Sequence, residues 1–243
     1  MTAEGIRKRI NQAVGRAIHR YELIADGDRI CVGLSGGKDS LTLMWFLSER
    51  LARIPVHYDL FACYIDPGFP GGFAESLQDF CRQNNWHLQI EYSDCGRVAH
   101  SRENLENPCF LCSRLRRKRL FEIAAGLGCN KLALGHTQDD IIESLFLNMC
   151  YSGELSTMVP YLPMFGGEVT IIRPLALVEE RETRRFSEEQ NFPRFENPCP
   201  SAAVSKRQEI KDLLHELYKK NRKIKGNIFR AMGNVKTDYL LTT

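Results

Sequence analysis

Three short stretches of this chain combine residue types and spacings that could do chemistry. In the first, Ser35-Gly36-Gly37-Lys38-Asp39-Ser40, two glycines and a lysine stand between an apolar run over 29–34 and a segment, 41–47, whose apolar residues recur as in a buried helix. Strand, glycine turn and helix start together make an anion site. Unpaired N–H groups and the helix dipole point at the ligand, glycines let the main chain approach a phosphate, and Lys38 adds a point charge. In the second, Cys109-Phe110-Leu111-Cys112 places two sulfurs on one side of a turn. Cys199 lies far downstream in a repeated setting, Glu196-Asn197-Pro198-Cys199 against Glu106-Asn107-Pro108-Cys109. Proline holds the residue before it extended, so both thiols are expected on stiff loops that could converge. Three thiolates suit an iron–sulfur cluster with one open iron or a zinc ion completed by a fourth ligand, while a redox pair is the alternative for a C-x-x-C. The third stretch, Gly135-His136-Thr137-Gln138-Asp139-Asp140, again joins a strand to a helix. Its acids would cap the helix, and a carboxylate there can also hold Mg²⁺ against nucleotide phosphates, with His136 placed to contact the nucleotide or the transferring group.

The elements that must position these stretches alternate. Strands are predicted over 29–34, 60–65, 86–92, 131–134 and 170–174, and helices over 73–84, 113–127 and 139–150, with a polar connection over 93–108. Beyond residue 178 the pattern is helical, over 178–190, 206–220 and 224–232. This order argues for an α/β fold, a doubly wound parallel sheet with ligands at the carboxyl ends of its strands and a helical C-terminal segment. The expected division is 1–27 as an N-terminal helical segment, 28–177 as the phosphate-loop domain and 178–243 as the helical segment that carries the third cysteine.

Composition narrows the setting. A net charge of +3 on 243 residues is weakly basic, so a nucleic-acid footprint must come from local clusters. Arg114, Arg116 and Arg117, within Arg114-Leu115-Arg116-Arg117-Lys118-Arg119, form one such cluster beside the C-x-x-C and are the expected nucleic-acid-binding residues. A second basic run, over 219–225, reads equally well as a solvated helix face. No stretch reaches the ~18 apolar residues of a membrane span, and Met1-Thr2-Ala3-Glu4-Gly5-Ile6 lacks the apolar core of an export signal. Nine cysteines without such a signal read as reduced thiols in a cytoplasmic protein. Cys31, Cys63, Cys81, Cys129 and Cys150 sit on strands or apolar helix faces and are expected in the core. Phe186, Phe192 and Phe195 are of the kind that stack an unpaired base, although packing is the reading their setting favours. His57, His87, His100 and His215 carry no distinguishing context.

The glycine loop is not a Walker A motif, whose four-residue spacing and hydroxyl after the lysine are both missing, Asp39 standing in the latter place. It resembles the PP-loop of the ATP pyrophosphatases. The chain also carries Pro67-Gly68-Phe69-Pro70, the C-x-x-C and its arginines, the run over 135–140, and Leu145-Phe146-Leu147-Asn148-Met149. With Ile172-Arg173-Pro174-Leu175 and Arg207-Gln208-Glu209-Ile210, it resembles the tRNA 2-thiocytidine synthetase family from about residue 28 to 235. That resemblance implies sulfur insertion at C2 of a cytidine in the tRNA anticodon loop, with ATP, Mg²⁺ and a [4Fe–4S] cluster on Cys109, Cys112 and Cys199. It implies that Ser35, Gly36, Gly37, Lys38, Asp39, Ser40, Gly135 and His136 bind the nucleotide, with Lys38, Asp39 and Asp140 catalytic. The C2 oxygen would attack the α-phosphate, pyrophosphate would leave, and sulfur would then displace AMP. Sulfur would come from the open iron, or from a persulfide on Cys109 or Cys112. Expected partners are tRNA and a cysteine desulfurase or other sulfide source, with no membrane, and a homodimer remains open. Thr137 and Glu196 depart from the family's usual histidine and cysteine. Lysidine synthetases share the loop but use an amine nucleophile. The other readings are thiolation of another base or a small metabolite, and a non-catalytic nucleotide- and metal-binding sensor.

Overall fold

The computed structural model describes residues 3–201 and 206–241; Met1 and Thr2 of the N-terminal segment, and residues 202–205 and 242–243 of the C-terminal one, lie outside the described residues. The chain divides into two compact units, one of residues 1–137 and 159–202 and the other of 138–158 and 203–243.

The larger unit holds the sheet. Its strands are β1 (Asp28–Leu34), β2 (Tyr58–Asp66), β3 (Leu88–Tyr92), β4 (Lys131–Leu134), β5 (Tyr161–Met164) and β6 (Val169–Ile172), in the order β3-β2-β1-β4-β6-β5. Its helices are α1 (Ala3–Arg20), α2 (Lys38–Leu51), α3 (Ala74–Gln83), the short α4 (Cys95–Ala99), α5 (Pro108–Gly126) and α7 (Glu180–Glu189), while α6 (Gln138–Leu147) belongs to the second unit. Side chains on a strand alternate between faces, and β1 divides accordingly. Ile30, Val32 and Leu34 join the core shared with α1, α2, α3 and α7, whereas Cys31 joins Cys63, Ile65, Phe121 and Ala124 on the face covered by α5. Both faces are therefore covered, as a parallel sheet requires.

The chain passes from β1 outward through β2 and β3, then returns to place β4 on the other side of β1. That reversal makes a switch point, and the register Gly33↔Leu134 sets the carboxyl ends of β1 and β4 side by side. The loops over 35–37 and 135–137 leave from these ends.

Three expectations from the sequence are corrected. The sheet has a sixth strand, β5, antiparallel to β6 at the edge; Pro163 interrupts its pattern, and an edge strand tolerates the missing donor. The connection over 93–108 contains α4. The helix expected to end at Cys150 gives way after Leu147 to a π turn over Asn148–Ser152, and Cys150 is exposed rather than in the core. The wider turn shifts the register by which Cys150 would have faced inward. The other four cysteines expected in the core are buried. Burial pushes Cys81 up to about 12. It also leads at Cys129, ahead of the neighbouring Cys31, and pushes that thiol up to about 11. Such thiols are inert packing groups.

The smaller unit is helical among its described residues: α6, the π turn, α8 (Lys206–Lys220) and α9 (Lys223–Ala231). Ile142, Ile210 and Leu214 form its buried centre, with Phe146, Leu217, Ile228 and Phe229 around them. No helix among the described residues is long and apolar enough to cross a membrane.

In the larger unit Phe186 of α7 is fully buried against Trp45, Phe46 and Phe192, with ring centroids 4.9, 4.9 and 5.8 Å away. Phe186→Ala is expected to cost ~3–5 kcal/mol, the usual range for emptying a packed aromatic site. A lower denaturation midpoint with an unchanged slope would match this, and an unchanged midpoint would contradict it.

Candidate active site

The phosphate loop is a built structure. Gly36 takes a positive φ of 75°, open to glycine at little cost, and Gly37 stands at the N-cap of α2. The Ser40 hydroxyl accepts from the Ser35 N–H at 3.1 Å and donates to the Gly37 carbonyl at 2.9 Å, fastening the loop to the first turn. Gly37 has no side chain to cap this helix start, so the first helical N–H groups are the donors open to an anion, while the Gly37 N–H itself is given to Ser35 Oγ at 3.3 Å. Lys38 Nζ lies 3.0 Å from Asp39 and 3.1 Å from Glu180. Burial works against its charge, but the two carboxylates outweigh burial and raise its pKa. Asp39 also accepts from the Thr183 hydroxyl. Glu180 and Thr183, both on α7, thus hold the lysine and the aspartate, and nothing in their local sequence announced it.

From β4, Gly135 lies against the start of α2. A methyl group there would stand 2.9 Å from the Ser40 nitrogen, a contact that only glycine permits. His136 follows, and Arg173 Nε donates to its Nδ1 at 3.1 Å. An arginine can only donate, so that nitrogen is unprotonated and the neutral ring carries its hydrogen on Nε2. Burial draws the Arg173 pKa down to about 10, with the charge of Arg117 adding to it, so the guanidinium is still a cation at neutral pH. Thr137, at the position of the family's second histidine, is fully buried.

The thiols gather elsewhere in the same unit. Pro108 is the first residue of α5, so Cys109 and Cys112 sit in the opening turns of a helix rather than on a loop, a correction to the expectation for that pair. Their spacing of three puts both on one face. The repeated Asn-Pro-Cys produces a repeated bond: Asn107 Oδ1 accepts from the Cys109 N–H at 3.0 Å, and Asn197 Oδ1 from the Cys199 N–H at 3.1 Å. Ser201 Oγ then lies 3.5 Å from Cys109 Sγ and 3.4 Å from Cys199 Sγ. Its third neighbour is His100 Nε2, at 2.9 Å. His100 Nδ1 faces the Gly96 carbonyl at 2.9 Å, which can only accept, so the neutral ring takes the Ser201 hydrogen on Nε2. The Ser201 oxygen is left to face the two thiols.

Cys112 faces a fourth thiol, Cys95, which is buried and receives the Ser93 hydroxyl at 3.1 Å. The hydrogen bond from Cys112 outweighs burial and, helped by Ser93 and Arg116, holds Cys95 below the ordinary thiol range. Cys112 is raised, first by that same bond. Among the described residues no three His, Cys, Asp or Glu side chains already stand close enough together to hold a metal ion. The donors are nonetheless of the right kind, since Cys109, Cys112 and Cys199 are free thiols and none is fully buried. Taking a cluster would require Ser201 and Cys95 to release them.

The arginines beside the C-x-x-C part company. Arg116 acts on Cys95 and Cys112, and its buried Nε has no hydrogen-bond partner among the described residues. Arg114 is exposed and paired with Glu106 at 3.0 Å, and Arg117 is exposed as well. Sequence reasoning missed Cys95, His100 and Ser201, whose roles depend on contacts made across the fold.

In the smaller unit Asp140 pairs with Arg207 at 3.0 Å and Asp139 with Lys225 at 2.7 Å. One turn further along α6 is Glu143, buried and 3.8 Å from Arg207. Burial raises its pKa to about 7, against the lowering effect of Lys211 and Arg207.

These features define an ATP-type phosphate loop at a sheet switch point, with free thiols in the same unit, and the PP-loop domain family matches residues 4–217. The tRNA-cytidine(32) 2-sulfurtransferase of Geobacter sulfurreducens is 43% identical over 237 residues, covering 96% of this chain and 92% of that protein. Its counterpart in Geotalea daltonii is 41% identical over 242 residues, covering 98% and 96%. Among solved structures, the U34-tRNA thiolase NcsA from Methanococcus maripaludis with its [4Fe-4S] cluster superposes with a TM-score of 0.80 at 26% identity, covering 96% of this chain and 80% of that one. An NH3-dependent NAD synthetase from Campylobacter jejuni shares the fold, at a TM-score of 0.52 and 16% identity over 96% of this chain and 93% of that one. The chain belongs to the tRNA-cytidine(32) 2-sulfurtransferase family of PP-loop proteins.

Glu143 gives the smaller unit a pH signature. Its native pKa, about 7, exceeds the ordinary 4.5, so its stabilising effect is complete below about 4.5 and is lost as pH rises through 7. Opening free energies of α6 and α8 amides, from hydrogen exchange corrected for intrinsic rates, should fall across that window. Glu143→Gln should flatten the fall, and an identical slope in the variant would contradict the assignment.

Proposed function

We propose that this protein is an ATP-dependent tRNA thiolase that replaces the C2 oxygen of cytidine 32 by sulfur. The observation that carries the reading is the gathering of Cys109 and Cys199 around Ser201, with Cys112 one helical turn from Cys109, in the unit that also holds the phosphate loop. The names of the relatives support the substrate, and the cluster named with the thiolase neighbour supports the cofactor.

In this reading the C2 oxygen attacks the α-phosphate of ATP and pyrophosphate leaves. The amides of Gly36 and Lys38, with the Lys38 ammonium, stabilise the charge that develops on the departing group. Glu180 and Asp39 keep Lys38 charged and aimed. Asp39 supplies carboxylate oxygens for Mg²⁺ or its water shell, and the catalytic role of Asp140 rests on the sequence pattern alone. His136, oriented by Arg173, presents an N–H to the nucleotide. Sulfur then displaces AMP, which takes away the original C2 oxygen.

Cys109, Cys112 and Cys199 would hold a [4Fe–4S] cluster, which when bound supplies an open iron for the incoming sulfur. Arg116 favours the thiolate state that ligation requires. Arg114 and Arg117 meet RNA phosphates. Residues 28–177 form the activating domain, 178–243 bring the third thiol, and 1–27 form the N-terminal helical segment. A cysteine desulfurase or other sulfide source charges the site in the cytoplasm, and the protein acts as a homodimer or as a single chain.

Anaerobic purification followed by iron, sulfide and zinc analysis tests the cofactor. About four irons and four sulfides per chain are expected, lost in Cys109→Ala, Cys112→Ala and Cys199→Ala but kept in Cys95→Ala. Zinc in their place, or loss in the Cys95 variant, would overturn this ligand set.

A further inference from the structure

Three aromatic rings form a ladder from the core to the site. Tyr64 is buried on β2, and Phe73 lies against it with centroids 5.2 Å apart. Phe195 stacks on Phe73 at 4.8 Å with an interplanar angle of 17°. Phe73 and Phe195 are both only partly buried. Phe186 and Phe192, the other phenylalanines of this region, are buried in the core and meet the packing role expected of them. Phe195 is the outer end of the ladder.

That end stands where two halves of the chemistry meet. A methyl group at Gly36 would lie 2.5 Å from Phe73 Cε2 and 3.2 Å from Phe195 Cδ2, so both rings rest on the phosphate loop. Four residues after Phe195 comes Cys199, held by the Asn197 bond next to Ser201. A base whose C2 oxygen must reach an α-phosphate and whose C2 carbon must reach sulfur has to lie between that loop and those thiols. An aromatic face in this place suits it, because single-stranded bases are commonly held by stacking on aromatic side chains.

We propose that Phe195 is the platform on which the target pyrimidine stacks, extending the Tyr64–Phe73–Phe195 ladder by one ring. The assignment rests on the thiolase reading above. It makes Phe195 a substrate-positioning residue that no motif in the chain distinguishes, and it explains why a half-buried phenylalanine is tied to the phosphate loop at one end and to the third thiol at the other.

The test is a double-mutant cycle with the full chain. Phe195→Leu keeps apolar contact with Phe73 and Gly36 but removes the ring, and Phe195→Trp restores a ring. Affinity is measured for unmodified tRNA and for the same tRNA with an abasic site at position 32, alongside ATP affinity, melting temperature and iron content. Phe195→Leu should weaken binding of intact tRNA roughly 5–150-fold, the range for losing one base–aromatic stack. Phe195→Trp should bind as the wild type does. On the abasic tRNA all three proteins should bind alike.

Equal affinities of the three proteins for intact tRNA would overturn the assignment. A loss that persists on the abasic tRNA would also overturn it, by showing that the ring acts elsewhere. A loss confined to ATP would assign the ring to adenine instead. If the wild type transfers sulfur but the variants bind RNA as it does, the platform alone fails. If the wild type transfers no sulfur to the intact tRNA, the thiolase reading fails first and the platform with it.

Discussion

Gly135 lies so close to the backbone of Ser40 that a single added carbon would stand 2.9 Å from it, and this close approach fixes the geometry of the nucleotide side of the molecule. It is possible because β4 lies beside β1 and both strands deliver their carboxyl ends to the same edge. The phosphate loop therefore has a second loop pressed against the helix that it opens. His136 and its Arg173 partner come with that second loop. From the other direction α7 supplies Glu180 to Lys38 and Thr183 to Asp39, so the loop's charged side chains are held before any phosphate arrives. Preorganisation of this kind removes a cost that would otherwise fall on the reaction itself.

The sulfur side is built by different means. A phosphate loop needs backbone precision, but thiols proposed to take up a cofactor need to be near one another without being bound too firmly. Asparagine side chains set both Cys109 and Cys199, and Ser201 stands between them with His100 behind it. The Ser201 hydroxyl is a weak hydrogen-bonding partner to both thiols, at sulfur distances of 3.5 and 3.4 Å. Cys95 plays the same part for Cys112, at the edge of the core on the α5 face of the sheet. The packing thiols stand in contrast. Cys31, Cys63, Cys81 and Cys129 are buried among apolar side chains, and burial keeps Cys81 and Cys129 protonated at neutral pH.

Much of this was legible in the sequence wherever the cause is local. The stretch over 35–40 announces a glycine turn at a helix start because only certain residues tolerate it, and the repeated Asn-Pro-Cys announces that Cys109 and Cys199 share a setting, although not the hydrogen bond that each asparagine makes. Alternating apolar runs mark the sheet and its two covered faces. Where the cause is distant, the sequence is silent. Nothing near Glu180 or Thr183 indicates Lys38 and Asp39, more than 140 positions away. His100 is ordinary in sequence and acquires its place only through Ser201. The edge strand β5 escaped because Pro163 breaks its pattern, and Cys150 was misplaced because a π turn cannot be read from apolar spacing.

The central claim is that the C2 oxygen of the target cytidine is activated by bonding to the α-phosphorus of ATP. It is tested most directly with tRNA carrying ¹⁸O at C2 of cytidine 32, incubated with ATP and a sulfide source under anaerobic conditions. Mass spectrometry of the products should find the label in AMP, one ¹⁸O for each sulfur installed. Label in pyrophosphate or in water, with sulfur still incorporated, would contradict the mechanism.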